Sequence, residues 1–171
     1  MSANLLWIDL EMTGLEPATD RIVEFAAIAT DWQLDEIAQL EGIVTQPQAV
    51  LDQMVPEVVA MHTKSGLIKK IPGGMGEADA EQQLLKFIDA HFGGTVYLAG
   101  NSIHQDRRFI RKYWPELDVK LHYRMLDISA WKLIMREVYG VKFAKSEAHR
   151  ALEDIRGSME ELQLYQRHIS K

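Results

Sequence analysis

Cysteine is absent from the 171 residues, which excludes disulfides and thiolate metal sites. Long apolar runs are absent too: nothing approaches the ~18 consecutive apolar residues of a membrane-spanning helix. A basic surplus is also lacking, because 19 Lys and Arg face 25 Asp and Glu for a net charge of -6. Proteins that grip long nucleic acids do so through phosphates and carry a basic face. The acidic balance therefore excludes a long nucleic-acid track, but not a small phosphate-bearing substrate held by a few local cations. No basic-then-apolar segment precedes the first strand-like run, so the expectation is a cytoplasmic chain without a secretory leader. There is no G-x-G-x-x-G after a strand, no P-loop and no H-E-x-x-H. Gly73-Gly74-Met75-Gly76 reads as a loop.

What is present is 47% hydrophobic residues, enough for the core of one domain over residues 1–171. Residues 4–10, 21–30 and about 39–46 read as strands joined by short connections, an antiparallel meander. A helical stretch around 51–61 and another from 64 to 71 precede Pro72-Gly73-Gly74. Residues 77–92 carry Ala80, Leu84, Phe87 and Ile88 on one helical stripe. Then come a strand at 96–99, a helix at 106–113 stopped by Pro115, a strand at 120–127, a helix at 129–139 and a last helix at 148–169. The expected fold is α/β: a central mixed five-stranded sheet flanked by helices.

The first strand carries an anomaly. In Leu5-Leu6-Trp7-Ile8-Asp9-Leu10-Glu11-Met12-Thr13-Gly14, two acids interrupt a run of large apolar residues. Two apart on a strand, Asp9 and Glu11 project from one face while Ile8, Leu10 and Met12 project from the other. A solvated face would explain acids, yet Leu5, Leu6 and Trp7 show no polar alternation, as in a strand buried on both sides. Two carboxylates held together there require compensation by protons or a cation. A hard divalent ion such as Mg²⁺ or Mn²⁺ takes oxygen ligands of this kind.

Further acids are available to complete such a site. Asp106 stands where a strand end meets a helix start, and reads equally as a helix-capping acid. Asp154 lies on the last helix beside Glu153, where a plain solvated charge is the alternative. His149 precedes Asp154 by five residues, which on an ideal helix leaves the two side chains about 140° apart. For both to reach one site, His149 must lie on the loop or frayed turn before the helix, with Ser146 as a cap. Alone, it reads as a surface histidine, as do His62, His91, His104, His122 and His168.

Taken together, Asp-x-Glu on the first strand, an Asp about 100 residues later and His-x4-Asp on the last helix resemble the DEDD exonucleases of the ribonuclease H-like fold. The tyrosine subclass has its tyrosine four residues before the final Asp. That position is Arg150, so the histidine subclass, DEDDh, is the one resembled. WIDLEMTGL, HTKSGL at 62–67, GNSIHQDRRF at 100–109, HYRMLDIS at 122–129 and AHRALEDIRGSMEEL at 148–162 are similar to the oligoribonuclease family within it. The resemblance implies that Asp9, Glu11, Asp106 and Asp154 hold two divalent ions, Mg²⁺ or Mn²⁺, and that His149 is the general base. It implies 3′-to-5′ hydrolysis of very short oligoribonucleotides, chiefly dinucleotides including pGpG, to nucleoside 5′-monophosphates.

It also implies that Leu15 wedges between two bases, that Ser102, Arg124 and Ser129 cap the 5′ phosphate, and that Tyr123 reaches into the partner subunit's site of a homodimer. An ion pair of Arg124 with Asp127 or Glu116 is the alternative for that arginine. Two positions depart from the family pattern: Glu57 stands where a base-stacking tryptophan is usual, and Ala130 where threonine follows the capping serine. The competing functions are a DEDDh exonuclease trimming short DNA or structured RNA ends, and a nucleic-acid-binding module without catalysis.

Overall fold

The computed structural model describes residues 2–144 and 150–169. Three strands open the chain, β1 (Leu5–Met12), β2 (Ile22–Thr30) and β3 (Glu36–Ile43). Two short helices follow, α1 (Gln48–Leu51) and α2 (Pro56–Lys64), then 3₁₀ turns at Leu67–Lys69 and Ile71–Gly73. The rest alternates: α3 (Glu77–His91), β4 (Val96–Gly100), α4 (His104–Tyr113), α5 (Pro115–Lys120), β5 (Leu121–Asp127), α6 (Ile128–Glu137) and α7 (Ala151–Ile169). The sheet has the order β3-β2-β1-β4-β5. The first three strands are antiparallel neighbours, while β4 runs parallel to both β1 and β5. The expected meander and mixed five-stranded sheet are both present.

β1 is the middle strand, and its two faces feed two separate cores. Leu6, Ile8, Leu10 and Met12 pack with Leu84 and Ile88 of α3 and Phe109 and Ile110 of α4. Leu5 and Trp7 turn the other way, joining Ala26 and Ile28 of β2 against Ala151, Ile155, Met159 and Leu162 of α7. The continuous apolar run follows from burial on both faces. Asp9 and Glu11 continue the second face, towards the start of α7.

Element boundaries differ from the sequence expectation where turns decide them. β3 begins at residue 36 rather than 39, because a tight turn returns the chain at once: Leu34 has φ of 68° and Asp31 Oδ1 accepts from the N–H groups of Gln33 and Asp35. Thr30 then pairs with Glu36, which fixes the register. The expected helix over 51–61 is split, since Val55 is extended before Pro56, which starts α2. In place of the expected helix over 64–71 the chain forms two 3₁₀ turns, the first entered through the left-handed Gly66 (φ 76°) and the second containing Pro72. Pro115 both ends α4 and opens α5, a helix with no counterpart in the sequence reading. Among the described residues no helix is long and apolar enough to cross a membrane.

Candidate active site

Asp9, Glu11 and Asp154 converge: one carboxylate oxygen from each lies within 4.8 Å of the other two. The convergence follows from the packing. Asp9 and Glu11 extend the face of β1 that α7 covers, and the apolar stripe of α7 holds the helix there with Asp154 in its first turn. Glu11 is buried and Asp9 only half-buried. The donor set is all oxygen, anionic and partly dry, which suits a hard divalent cation.

Asp106, the fourth acid expected from the sequence, is not among the three that converge, and stands on the other side of β1. β4 pairs with β1 only as far as Trp7↔Ala99, and beyond that the strands part. The Leu10 N–H donates instead to Asp106 Oδ1 at 3.0 Å, from the first turn of α4. A backbone donor that would lie buried without a strand partner is thereby satisfied. Burial pushes the Asp106 carboxyl up to about 7. Burial, reinforced by Glu24, Asp154 and Asp106, likewise brings Glu11 to about 7, with Arg150 opposing.

Glu24, Arg150 and His62 complete the surroundings, and the sequence reading assigned none of them a part here. Glu24 stands directly opposite Glu11 in the β1–β2 register and is buried. Arg150 grips it with Nη2 at 2.7 Å and Nε at 2.9 Å from Oε1, immediately before α7 begins. An acid inside the all-buried β2 is the signal that could have found Glu24, the same signal that exposed Asp9 and Glu11. His62, fully buried on α2, donates from Nε2 to the Met12 carbonyl at 2.9 Å, and its Nδ1 lies 3.9 Å from Glu11 Oε2. His149 and Ser146 lie outside the described residues.

The remaining candidate residues surround this centre on separate loops. Leu15 is 68% exposed on the turn after β1. Asp20 shapes that turn, accepting from the Thr13 hydroxyl and the Glu16 N–H; a Cβ on Gly14 would sit 2.5 Å from the Asp20 carboxylate and force it out of those hydrogen bonds. Leu15, Val55 and Val58 line a groove of about 470 Å³. Glu57 is exposed on α2, so aliphatic side chains rather than a ring flank the groove. Ser102 and Ser129 meet with hydroxyl oxygens 2.9 Å apart, joining the turn after β4 to the start of α6. The Arg124 guanidinium lies 4.8 Å over the Tyr123 ring, and among the described residues it makes no ion pair with Asp127 or Glu116.

Two predictions follow from the charges. Glu11 and Asp106 hold protons in the folded state up to about pH 7, whereas in the unfolded chain they release them at about pH 4. The folded state thus binds more protons across that window, and stability in chelator falls as pH rises through it. A divalent cation must displace those protons, so the rise in Tm on adding Mn²⁺ will be larger at pH 8 than at pH 5 in thermal melts. Separately, Arg150→Met strands a buried carboxylate and will lower urea stability by ~3–5 kcal/mol, with Glu24→Gln added to it restoring most of the loss.

Comparison with known proteins agrees with this geometry. An RNase T-type exonuclease family model matches residues 6–162. The oligoribonuclease of Marinobacter nauticus is 45% identical over 175 residues, 98% of this chain and 96% of that protein. The oligoribonuclease of Thiobacillus denitrificans is 45% identical over 174 residues, 97% and 94% of the two chains. Among solved structures, the zinc-bound E. coli exonuclease I–single-stranded DNA complex superposes with a TM-score of 0.76 at 16% identity, over 98% of this chain and 41% of that one. Exonuclease I from Methylocaldum szegediense gives 0.76 at 22% identity, over 98% and 41%. This chain thus spans about two-fifths of those proteins, and the likeness is one of fold. Identity at this level along nearly the whole chain, on a ribonuclease H-like sheet, makes the protein a member of the oligoribonuclease family of exonucleases, a hydrolytic nuclease.

Proposed function

We propose that this protein removes nucleotides from the 3′ ends of very short oligoribonucleotides, chiefly dinucleotides, releasing nucleoside 5′-monophosphates. The convergence of Asp9, Glu11 and Asp154 within 4.8 Å carries the reading. Three carboxylates so placed, with Asp106 behind them, would hold two divalent ions, Mg²⁺ or Mn²⁺. When bound, such ions activate a water and offset charge on the phosphate being cut. His149, one residue before the anchored Arg150, takes the proton of the attacking water as general base. Leu15 enters between the two bases, and Val55 and Val58 supply an apolar wall beside it. The Ser102–Ser129 pair and Arg124 form the seat of the 5′ phosphate, Arg124 through a planar fork suited to phosphate.

A homodimer is part of the proposal. β5 is an edge strand of the sheet, and Tyr123 on it is 67% exposed. Leu133 and Ile134 of α6, then Val138 and Tyr139, are also exposed apolar side chains. Edge strands with apolar surroundings are normally covered, and a second copy laid across this one would bring Tyr123 towards the other's groove.

Asp9→Asn and Asp154→Asn are expected to lower kcat on pGpG at least ~10³-fold and to weaken Mn²⁺ binding by calorimetry, with circular dichroism unchanged; activity retained in excess Mn²⁺ contradicts the assignment. On pGpG, its deoxy analogue and a seven-residue RNA, kcat/KM should be highest for pGpG; a deoxy preference would instead make the enzyme a DNA-end trimmer. For the dimer, sedimentation velocity should give twice the chain mass, and Leu133→Asp with Val138→Asp should give the monomer with reduced activity.

A further inference from the structure

Glu161 is a buried acid that the proposed chemistry does not use. It is 0% exposed on α7, two helical turns beyond Asp154. Tyr165, equally buried, donates its hydroxyl to Oε1 at 2.5 Å, and Lys132 Nζ lies 3.8 Å from the same oxygen. The other oxygen, Oε2, accepts from Asn101 Nδ2 at 3.3 Å. Asn101 is the residue after β4 and leads directly into the Ser102–Ser129 pair.

The partners fix which way each hydrogen bond runs. A carboxylate only accepts, so the Asn101 NH₂ must face Glu161 and its Oδ1 must face away. Oδ1 accepts from the Ser129 hydroxyl at 2.7 Å, which uses the one proton Ser129 has. Ser129 Oγ in turn accepts the Ser102 N–H at 2.8 Å. At the 2.9 Å contact between the two hydroxyls, Ser102 must therefore be the donor. Ser129 is saturated by protein, whereas the exposed Ser102 hydroxyl can swing from Ser129 to an incoming anion.

Ser102 is held for that purpose at some strain. Its φ of 50° lies in the left-handed region, uncommon for a residue with a side chain. Asp127 Oδ1 secures it, accepting the N–H groups of both Ser102 and Ser129 at 3.0 and 2.9 Å.

We propose that Glu161, acting through Asn101, sets the direction of the chain Ser102→Ser129→Asn101→Glu161, making Ser102 the hydroxyl donor to the substrate's 5′ phosphate. Ser129, Asn101 and Glu161 are positioning residues behind it. The inference rests on the reading above that this serine pair receives a 5′ phosphate. Glu161→Gln reverses the chain. Tyr165 keeps donating to the glutamine oxygen, the new N–H₂ faces Asn101, and Asn101 turns its own N–H₂ towards Ser129. The Ser129 proton is then released and can meet the phosphate itself.

The test reads the ratio of kcat/KM for pApA over ApA, which differ only in the 5′ phosphate. Ser102→Ala should reduce that preference about tenfold or more in the unaltered background, as for loss of a hydrogen bond to a charged group. In the Glu161→Gln background the same substitution should reduce it less than about threefold, a coupling read by a double-mutant cycle. Asn101→Ala frees the same proton from the other end and should show the same coupling, which covers the case where Glu161→Gln does not fold. Equal effects of Ser102→Ala in all backgrounds would overturn the relay while leaving the phosphate site intact. No preference for pApA in the unaltered protein would remove the phosphate site, and the relay with it.

Discussion

Like charges crowded onto one face of a sheet are the constraint around which this molecule is arranged. Asp9 and Glu11 on β1 and Glu24 on β2 share that face, and α7 brings Asp154 against two of them. In a medium that cannot screen them, such groups are tolerated only with a compensating partner for each. Glu24 has Arg150. Asp106, on the opposite side of β1, has the Leu10 N–H and takes up protons readily. Glu24 is thereby neutralised within the protein, while the converging three form an oxygen cluster of the kind that suits a divalent cation.

α7 serves both ends of the site. Its apolar row of Ala151, Ile155, Met159 and Leu162 docks on the sheet. A second row contains Asp154 and Glu161, seven residues or about 10 Å apart along one face. The first belongs to the carboxylate cluster and the second to the hydrogen-bonded serine pair. A single rigid element thus fixes the distance between the carboxylate cluster and the serine pair, which under the function proposed above is the distance from the cut to the 5′ phosphate.

Much of this was legible in the chain, for identifiable reasons. Asp9 and Glu11 stood out because strand alternation is simple arithmetic and β1 lacks polar alternation elsewhere. Asp106 and Asp154 were each ambiguous alone, since acids at helix starts are common; they gained meaning only as members of an ordered set resembling a known family. Glu24 escaped notice although it breaks an apolar strand in the same manner, because nothing local names Arg150 as its partner. His62 read as a surface histidine, and the structure instead buries it where α2 folds over Met12. The left-handed Ser102 depends on hydrogen bonds from the distant Asp127 and Ser129, which no local propensity encodes, whereas the turn at Leu34 is held locally by Asp31. The usual tryptophan position, held here by Glu57, illustrates the converse: the substitution was plain in the sequence, but only the fold shows Val55 and Val58 lining the groove.

The order in which the site's parts occur along the chain has a consequence for synthesis. β1 is made before the other strands, carrying two of the converging acids, and Asp154 follows only after all five strands of the sheet have been made. Until α7 docks, Asp9 and Glu11 lack Asp154, and the cluster of three carboxylates does not exist. The site is assembled at the moment α7 closes over β1.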